Sequence, residues 1–165
     1  MLLHKGETLF RQGETGPLYR LEDGLLKIVR LKEDGASILV NIIVPGETIP
    51  HHSLLSPNPY YGTSIALTTC NVTPLRPAEW YSELSGNPDK CLEVAMQLQE
   101  KLRMLQQRID QLTEVSAEKK LQKLRQWLAA YVGSVPLTDL LTQDEIAQFI
   151  GIRRETVNRL LRNRP

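Results

Sequence analysis

The hydrophobic rhythm of the chain changes near residue 87. Before that point apolar residues come in short runs closed by glycine: "LYRLEDG", "LLKIVRLKEDG" and "ASILVNIIVPG". In "KIVRL", Ile28, Val29 and Leu31 mix with Lys27 and Arg30. Short runs rich in β-branched residues and bounded by turn formers predict strands. Asp34-Gly35 lies between two of them and predicts a hairpin, because tight β-turns require positive φ values that this dipeptide tolerates. Gly6, Gly13, Gly16, Gly24, Gly35 and Gly46 punctuate the region, which fits an antiparallel roll or barrel. A further β stretch, "TSIALTTCNVTPL", follows the proline-rich loop "SPNPYYG".

From Asp89 the sequence contains no glycine or proline until Gly133. Asn87 can cap a helix there, and Pro88 suits its first turn. Ala95, Leu98, Leu102, Leu105, Ile109 and Leu112 recur in steps of three and four, with Glu100, Lys101, Arg103, Arg108 and Asp110 off the stripe. A narrow a/d stripe fits the seam of a parallel two-helix coil, hence a homodimer. The same helix can also lay one edge on its own roll. A second helix, "AEKKLQKLRQWLAAYV", has Ser116 as its cap and Lys119 where a capping box would carry Glu or Gln. Trp127 and Tyr131 read as core residues, and "GSVPLTDL" reads as a linker.

The last segment, "LTQDEIAQFIGIRRETVNRLLRNRP", carries the strongest local signals. Thr142 and Glu145 form a capping box, and Ile146, Phe149 and Ile150 fall on one helix face. Gly151 permits a left-handed turn. A second short helix follows, with Val157, Leu160 and Leu161 inward and Arg153, Arg154, Glu155, Asn158 and Arg159 outward. Two helices joined through a glycine turn predict a helix-turn-helix, whose second helix enters the DNA major groove. The chemistry suits that task. Arginine donates two hydrogen bonds to guanine O6 and N7, and a glutamate accepts from cytosine N4. Thr142 and Gln143, at the start of the first helix, are placed to hold phosphates.

Charge sharpens this picture. The whole chain carries a formal +1, yet Gly151–Pro165 holds five arginines against the single acid Glu155, a local +4. A basic end on a near-neutral chain points to a polyanionic partner. Cys70 and Cys91 are far apart and make no disulfide or metal pattern; both read as small core residues. "MLLHKGETLF" has no apolar leader core, and no run is long enough to span a membrane, so a cytoplasmic location is expected. No nucleophile–base or paired-carboxylate pattern supports an enzyme.

The pieces "KGETLFRQGE", "LYRLEDGLLKIVRL", "VPGETI", "NPD", the long helix and "LTQDEIAQFIG-RRETVNRLL" together resemble the cyclic-AMP receptor protein/fumarate-nitrate regulator (CRP/FNR) family of bacterial transcription factors. The resemblance covers almost the whole chain. It implies an α+β protein with an N-terminal cyclic-nucleotide-binding-type β-roll (jelly roll), a long dimerisation helix and a C-terminal helix-turn-helix. The boundaries expected are 1–86 for the roll, 87–115 for the dimerisation helix and 116–165 for the DNA-binding part. The wing that follows the helix-turn-helix in the family is absent from that span, so weaker DNA affinity is expected. The resemblance further implies double-stranded DNA and RNA polymerase as partners and a palindromic GTGA-type site. Arg154 and Arg159 would take guanines, and Glu155 a cytosine amino group. Arg153 stands where relatives often have Ser.

The roll departs from the family pattern. Cyclic-AMP binders in the family carry Gly-Glu after the "PG" turn, then Arg-Ser-Ala. Here Pro50-His51 replaces the first pair, and Tyr60-Tyr61-Gly62 or Tyr61-Gly62-Thr63 replaces the second. No arginine lies between Leu31 and Leu75, so a buried phosphate would lack a cation. Cyclic AMP is therefore not expected to bind. His51, His52, Tyr60, Tyr61 and Thr63 remain as candidate effector-pocket residues. As neighbours on a strand, the two histidines would face opposite ways and could not share one metal. A haem ligand from this loop is conceivable within the family and is not favoured. A haem or metal sensor of the same fold, and a protein-interaction module with an incidental basic end, stand as alternatives.

Overall fold

The computed structural model describes residues 1–162. Among them, eight strands form two four-stranded antiparallel sheets. The strands are β1 (Leu2–Leu3), β2 (Thr8–Phe10), β3 (Leu18–Asp23), β4 (Leu26–Leu31), β5 (Ser37–Ile43), β6 (Thr48–Ile49), β7 (Thr63–Ala66) and β8 (Cys70–Leu75). One sheet has the order β1-β8-β3-β6, the other β2-β7-β4-β5. β4 and β5 pair as the Asp34-Gly35 hairpin, with Leu26 opposite Ile43 and Leu31 opposite Ser37. The β stretch "TSIALTTCNVTPL" holds two strands, β7 and β8. Leu67 and Thr68 break the run by donating their amides to the Leu25 carbonyl, and β7 and β8 then join different sheets.

The sheets enclose a core that includes Phe10, Leu21, Leu26, Ile43, Ile49 and Val72. Cys70 is part of it, with its thiol directed at the Leu25 carbonyl. Cys91 differs from expectation. It is exposed, and its thiol meets the Leu84 carbonyl.

Helix α1 (Pro77–Gly86) follows the roll and has no counterpart in the strand-and-turn pattern described above. It docks through Trp80, whose indole N–H donates to the Leu54 carbonyl at 2.9 Å, and Tyr81, whose hydroxyl donates to the Ser53 carbonyl at 2.6 Å. The long helix α2 (Pro88–Thr113) starts where expected, with Asn87 accepting from the Asp89 amide at 3.0 Å. Val94 and Leu98 on α2 pack with Leu18, Leu54 and Trp80.

The remaining helices are α3 (Ala117–Val132), α4 (Leu137–Leu140), α5 (Gln143–Ile150) and α6 (Arg154–Arg162). Ser116 caps α3 by accepting from the Lys119 amide at 3.3 Å. The segment read as a linker contains the single turn α4, because Leu137 and Leu140 are buried. Trp127 is half-buried and stacks on Phe149, but Tyr131 is exposed and only meets Trp127 edge-on. It is not a core residue. The chain divides into two compact units, Met1–Met104 and a second unit that starts at Leu105.

Gly24 has φ +87°, and a Cβ there would overlap the Thr69 carbonyl and approach the Cys70 sulfur to 2.8 Å. Gly24→Ala should therefore destabilise the roll by about 2–4 kcal/mol. The measurement is chemical denaturation followed by far-ultraviolet circular dichroism, with a lowered midpoint expected at unchanged slope.

Candidate nucleic-acid interface and roll pocket

The outward face of α6 depends on how α5 is begun and ended. At its start the Thr142 hydroxyl oxygen accepts from the Glu145 amide at 3.2 Å, and the Glu145 carboxylate accepts from the Thr142 amide at 2.9 Å. The capping box is complete. It commits the Thr142 backbone N–H to Glu145, so this amide is taken before any phosphate arrives. Gln143 opens the helix at a position whose amide has no intrahelical acceptor. At its end Gly151 is left-handed, with φ 65° and ψ 49°, and the Ile152 amide bonds to the Ala147 carbonyl at 3.0 Å. Ile146, Phe149 and Ile150 are buried beneath, in agreement with the helical pattern.

Helix α6 then begins. Val157 is fully buried, and Leu160 and Leu161 are partly so. Arg153, Arg154, Glu155 and Arg159 are exposed, with Asn158 half-buried beside them. Arg162 is exposed as well, while Arg164, counted above in the basic end, lies outside the described residues. Arg153, just before α6, and the first turn of α6 thus offer two guanidiniums and a carboxylate to solvent. Arg154 pairs with Asp144 of α5 at 3.5 Å. Both side chains are more than half exposed, so the pair is worth only about 0–1 kcal/mol. So weak a pair leaves Arg154 available to another acceptor. No local spacing in the sequence marks the Asp144 partner, since the contact joins different helices.

The seam stripe is divided. Ala95, Leu102 and Ile109 are exposed, the latter two at 57% and 59%. Leu98 turns onto the core of its own roll unit. Leu105 is 40% exposed, and Leu112 is 37% exposed with its side chain against Gly151. Leu92 and Met96, which the heptad assignment missed, extend the exposed face.

The proposed pocket residues also separate. His51 and His52 lie in a single 3-10 turn, His51–Ser53, not on a strand. They still diverge. His51 Nε2 meets Glu47 at 2.8 Å, and His52 Nε2 meets the Pro59 carbonyl at 3.0 Å. Both line a cavity of about 170 Å³, together with Phe10, Ile28, Ile49 and Tyr61. Tyr60 is not in that lining. It is buried, stacks on Phe10 at 4.1 Å and donates to the Pro17 carbonyl. Burial pushes its hydroxyl pKa up. Thr63 accepts from the Gln12 amide at 3.1 Å. Arg30, just before the arginine-free window, covers the Tyr61 ring at 4.3 Å.

An ionic group in which Lys101 is buried and Glu47 mostly so adjoins the cavity through His51, and no sequence signal marks it. Glu47 accepts from Lys101 at 2.7 Å and from the Val44 amide at 2.9 Å, as well as meeting His51. Burial pushes its carboxyl pKa up, but the His51 hydrogen bond and the Lys101 and His51 charges outweigh burial and lower it. Among the described residues, no cluster of His, Cys, Asp and Glu could hold a metal ion. No described helix is long and apolar enough to cross a membrane.

A double-sheeted roll, a long helix with an exposed apolar face and a capped helix pair with an arginine-bearing second helix define a DNA-binding regulator built on a ligand-roll scaffold. The cyclic nucleotide-binding domain family matches residues 1–87, and the family of bacterial regulatory proteins of the crp type matches 140–163. The chain belongs to the CRP/FNR family of transcription regulators. It is 29% identical over 163 residues to a CRP-like cAMP-activated global transcriptional regulator of Mycobacterium tuberculosis, covering 95% of this chain and 73% of that one. It is 23% identical over 161 residues to the cAMP-activated global transcriptional regulator CRP of Salmonella typhimurium, covering 94% and 77%. A CRP-family transcriptional regulator from Thermus thermophilus superposes with a TM-score of 0.79 at 25% identity, covering 99% of this chain and 83% of that one. These relatives are regulators rather than enzymes.

A carboxylate with a lowered pKa stabilises the fold above its unfolded value, 4.5, and that contribution is lost as pH falls through the lowered folded value. Urea midpoints for the roll should therefore drop as pH falls below about 4.5. The drop should be shallower in the paired variant Glu47→Gln with Lys101→Met. Parallel curves for the two proteins would show that Glu47 does not carry the acid sensitivity.

Proposed function

We propose that this regulator reads a palindromic GTGA-type site as a homodimer, in the cytoplasm and without cyclic AMP. The observation that carries the reading is the start of α6. A capped α5 and a left-handed Gly151 leave Arg153, Arg154, Glu155 and Arg159 on one exposed, net-positive surface. Arg154 and Arg159 take guanines, Glu155 accepts from a cytosine, and Asn158 lies within the same face. Arg153 and the α5 start at Thr142 and Gln143 address phosphates. Asp144 holds Arg154 until a base replaces it.

The homodimer is supported by the exposed face of α2. Leu102 and Ile109 stand there with Ala95, Leu92 and Met96, and an apolar stripe on a long helix is uncommon without a partner. Paired about a two-fold axis, the recognition helices must stand about 34 Å apart to enter successive major grooves. In this assignment 1–86 is the roll, 87–115 the dimerisation helix and 116–165 the DNA-binding part. RNA polymerase is the further partner, on family resemblance.

Independence from cyclic AMP is supported by the state of the nearby cations. Lys101 is buried on Glu47, and Arg30 is stacked on Tyr61. A cyclic phosphate in the cavity would have to strip one of them from its partner. Haem is not favoured, because both His51 and His52 already have polar partners for Nε2.

Fluorescence anisotropy across a salt series, on a GTGA-type palindrome and a scrambled duplex, tests the DNA reading. A preference for the palindrome is expected, unchanged by added cyclic AMP, and Arg154→Ala should remove about 1–3 kcal/mol of it. Equal, salt-sensitive binding to both duplexes would leave only phosphate attraction and sink the site assignment.

For the dimer, Leu102→Asp with Ile109→Asp should sediment as a folded monomer and lose palindrome binding. A persistent dimer in that variant would place the interface elsewhere.

A further inference from the structure

We propose that Lys120 is the positioning residue of the DNA-reading head: its ammonium fastens the end of α2 to the Gly151 turn and so fixes the direction in which α6 leaves that turn. The proposal deepens the DNA-reading role above and rests on it. Lysines are almost never buried unless paired, yet Lys120 is 7% exposed. Its Nζ donates to the Leu112 carbonyl at 2.7 Å and lies 3.5 Å from the Gly151 carbonyl. Leu112 is in the last turn of α2, and Gly151 is the C-cap of α5. Both carbonyls sit at helix C-termini, where unsatisfied C=O groups and the helix dipole favour a cation. Neither helix carries a basic residue in its own last turn. One side chain from α3 supplies that cation to both.

Other contacts set the same three segments against each other. The Gln111 side-chain Nε2 donates to the Lys120 carbonyl at 3.2 Å. The Leu112 side chain lies 2.9 Å from where a Cβ on Gly151 would stand, so α2 approaches the turn as closely as glycine allows. The Arg108 guanidinium covers the Phe149 ring at 4.2 Å, further back on both helices. Arg153 and Arg154 follow Gly151 within three residues. A small rotation of the turn therefore re-aims the base-reading side chains. Buried as it is, Lys120 cannot touch a phosphate. It acts through Gly151 and α6, and its effect on recognition is separable from charge attraction.

The separation gives the test. Full-length Lys120→Met removes the cation and keeps an apolar stem of similar length, whereas Lys120→Arg keeps a cation. Two readouts are taken on each: anisotropy on the palindrome and scrambled duplexes across salt, and amide hydrogen exchange without DNA. For Lys120→Met the palindrome preference should fall about tenfold, the size of one lost base contact. The salt slope should stay unchanged, because the number of neutralised phosphates does not alter. Exchange should quicken at residues 150–154 and at the last turn of α2, and not at Leu121, Leu124 and Leu128 in the centre of α3. Lys120→Arg should restore both readouts. Unchanged preference with unchanged exchange overturns the proposal. So does exchange that quickens throughout the second unit, which marks a general stabilising role. If the wild-type protein shows no palindrome preference, the DNA reading has failed instead, and the exchange pattern alone then upholds or overturns the fastening of the turn by Lys120.

Discussion

The geometry of the reading head hangs on one backbone conformation, the left-handed turn at Gly151. An L-residue there would meet both a torsional penalty and the Leu112 methyl at 2.9 Å. Everything functional about α6 lies downstream of that residue. The turn sets which side chains of α6 point to solvent, and Val157 then locks the helix by burying completely. Upstream, the Thr142–Glu145 box fixes where α5 starts, so its eight residues place Phe149 and Ile150 inward just before the turn. Each step removes a freedom from the next.

Helix ends matter more than usual in this chain because its helices are short or must stop sharply. The first and last four backbone groups of each helix need partners. Asn87, Ser116 and Thr142 serve three starts from immediately adjacent sequence. The ends are served differently. Gly151 closes α5 through its own conformation, and Lys120 reaches across from another helix to serve the carbonyls of both α2 and α5. The roll shows the same economy around Glu47, whose two carboxylate oxygens answer a loop amide, a histidine and a buried lysine.

This difference between local and distant partners accounts for what was legible in the sequence. Caps act over two or three residues, so Asn87, Ser116, Thr142 with Glu145, and Gly151 can all be read directly. The Asp34-Gly35 hairpin is legible for the same reason. The exposed α6 residues follow from helical period alone. Contacts across long separations leave no such trace. Glu47 and Lys101 are 54 residues apart, and Lys120 sits amid charged neighbours that look like a solvated face. The a/d stripe is real as a pattern, yet one helix meets two different surroundings, and only the fold assigns Leu98 to one and Leu102 to the other. His51 and His52, read as strand neighbours, lie instead in a 3-10 turn just after β6.

The magnitudes also explain why recognition in such a head should be selective rather than merely adhesive. Asp144 introduces a negative charge at the edge of a surface meant for a polyanion, which weakens attraction to any phosphate. Its pairing with Arg154 is exposed and easily broken, at about 0–1 kcal/mol. A correctly placed guanine offers about 1–3 kcal/mol and so wins the guanidinium. A lone phosphate in water offers a contact of the same exposed kind as Asp144 itself, with little net gain. On the proposed reading, Arg154 is thereby withheld from indiscriminate contacts and released to a base edge. That discrimination holds only if the turn delivers Arg154 to the groove at the right angle, which returns the burden to Gly151 and to the buried lysine beside it.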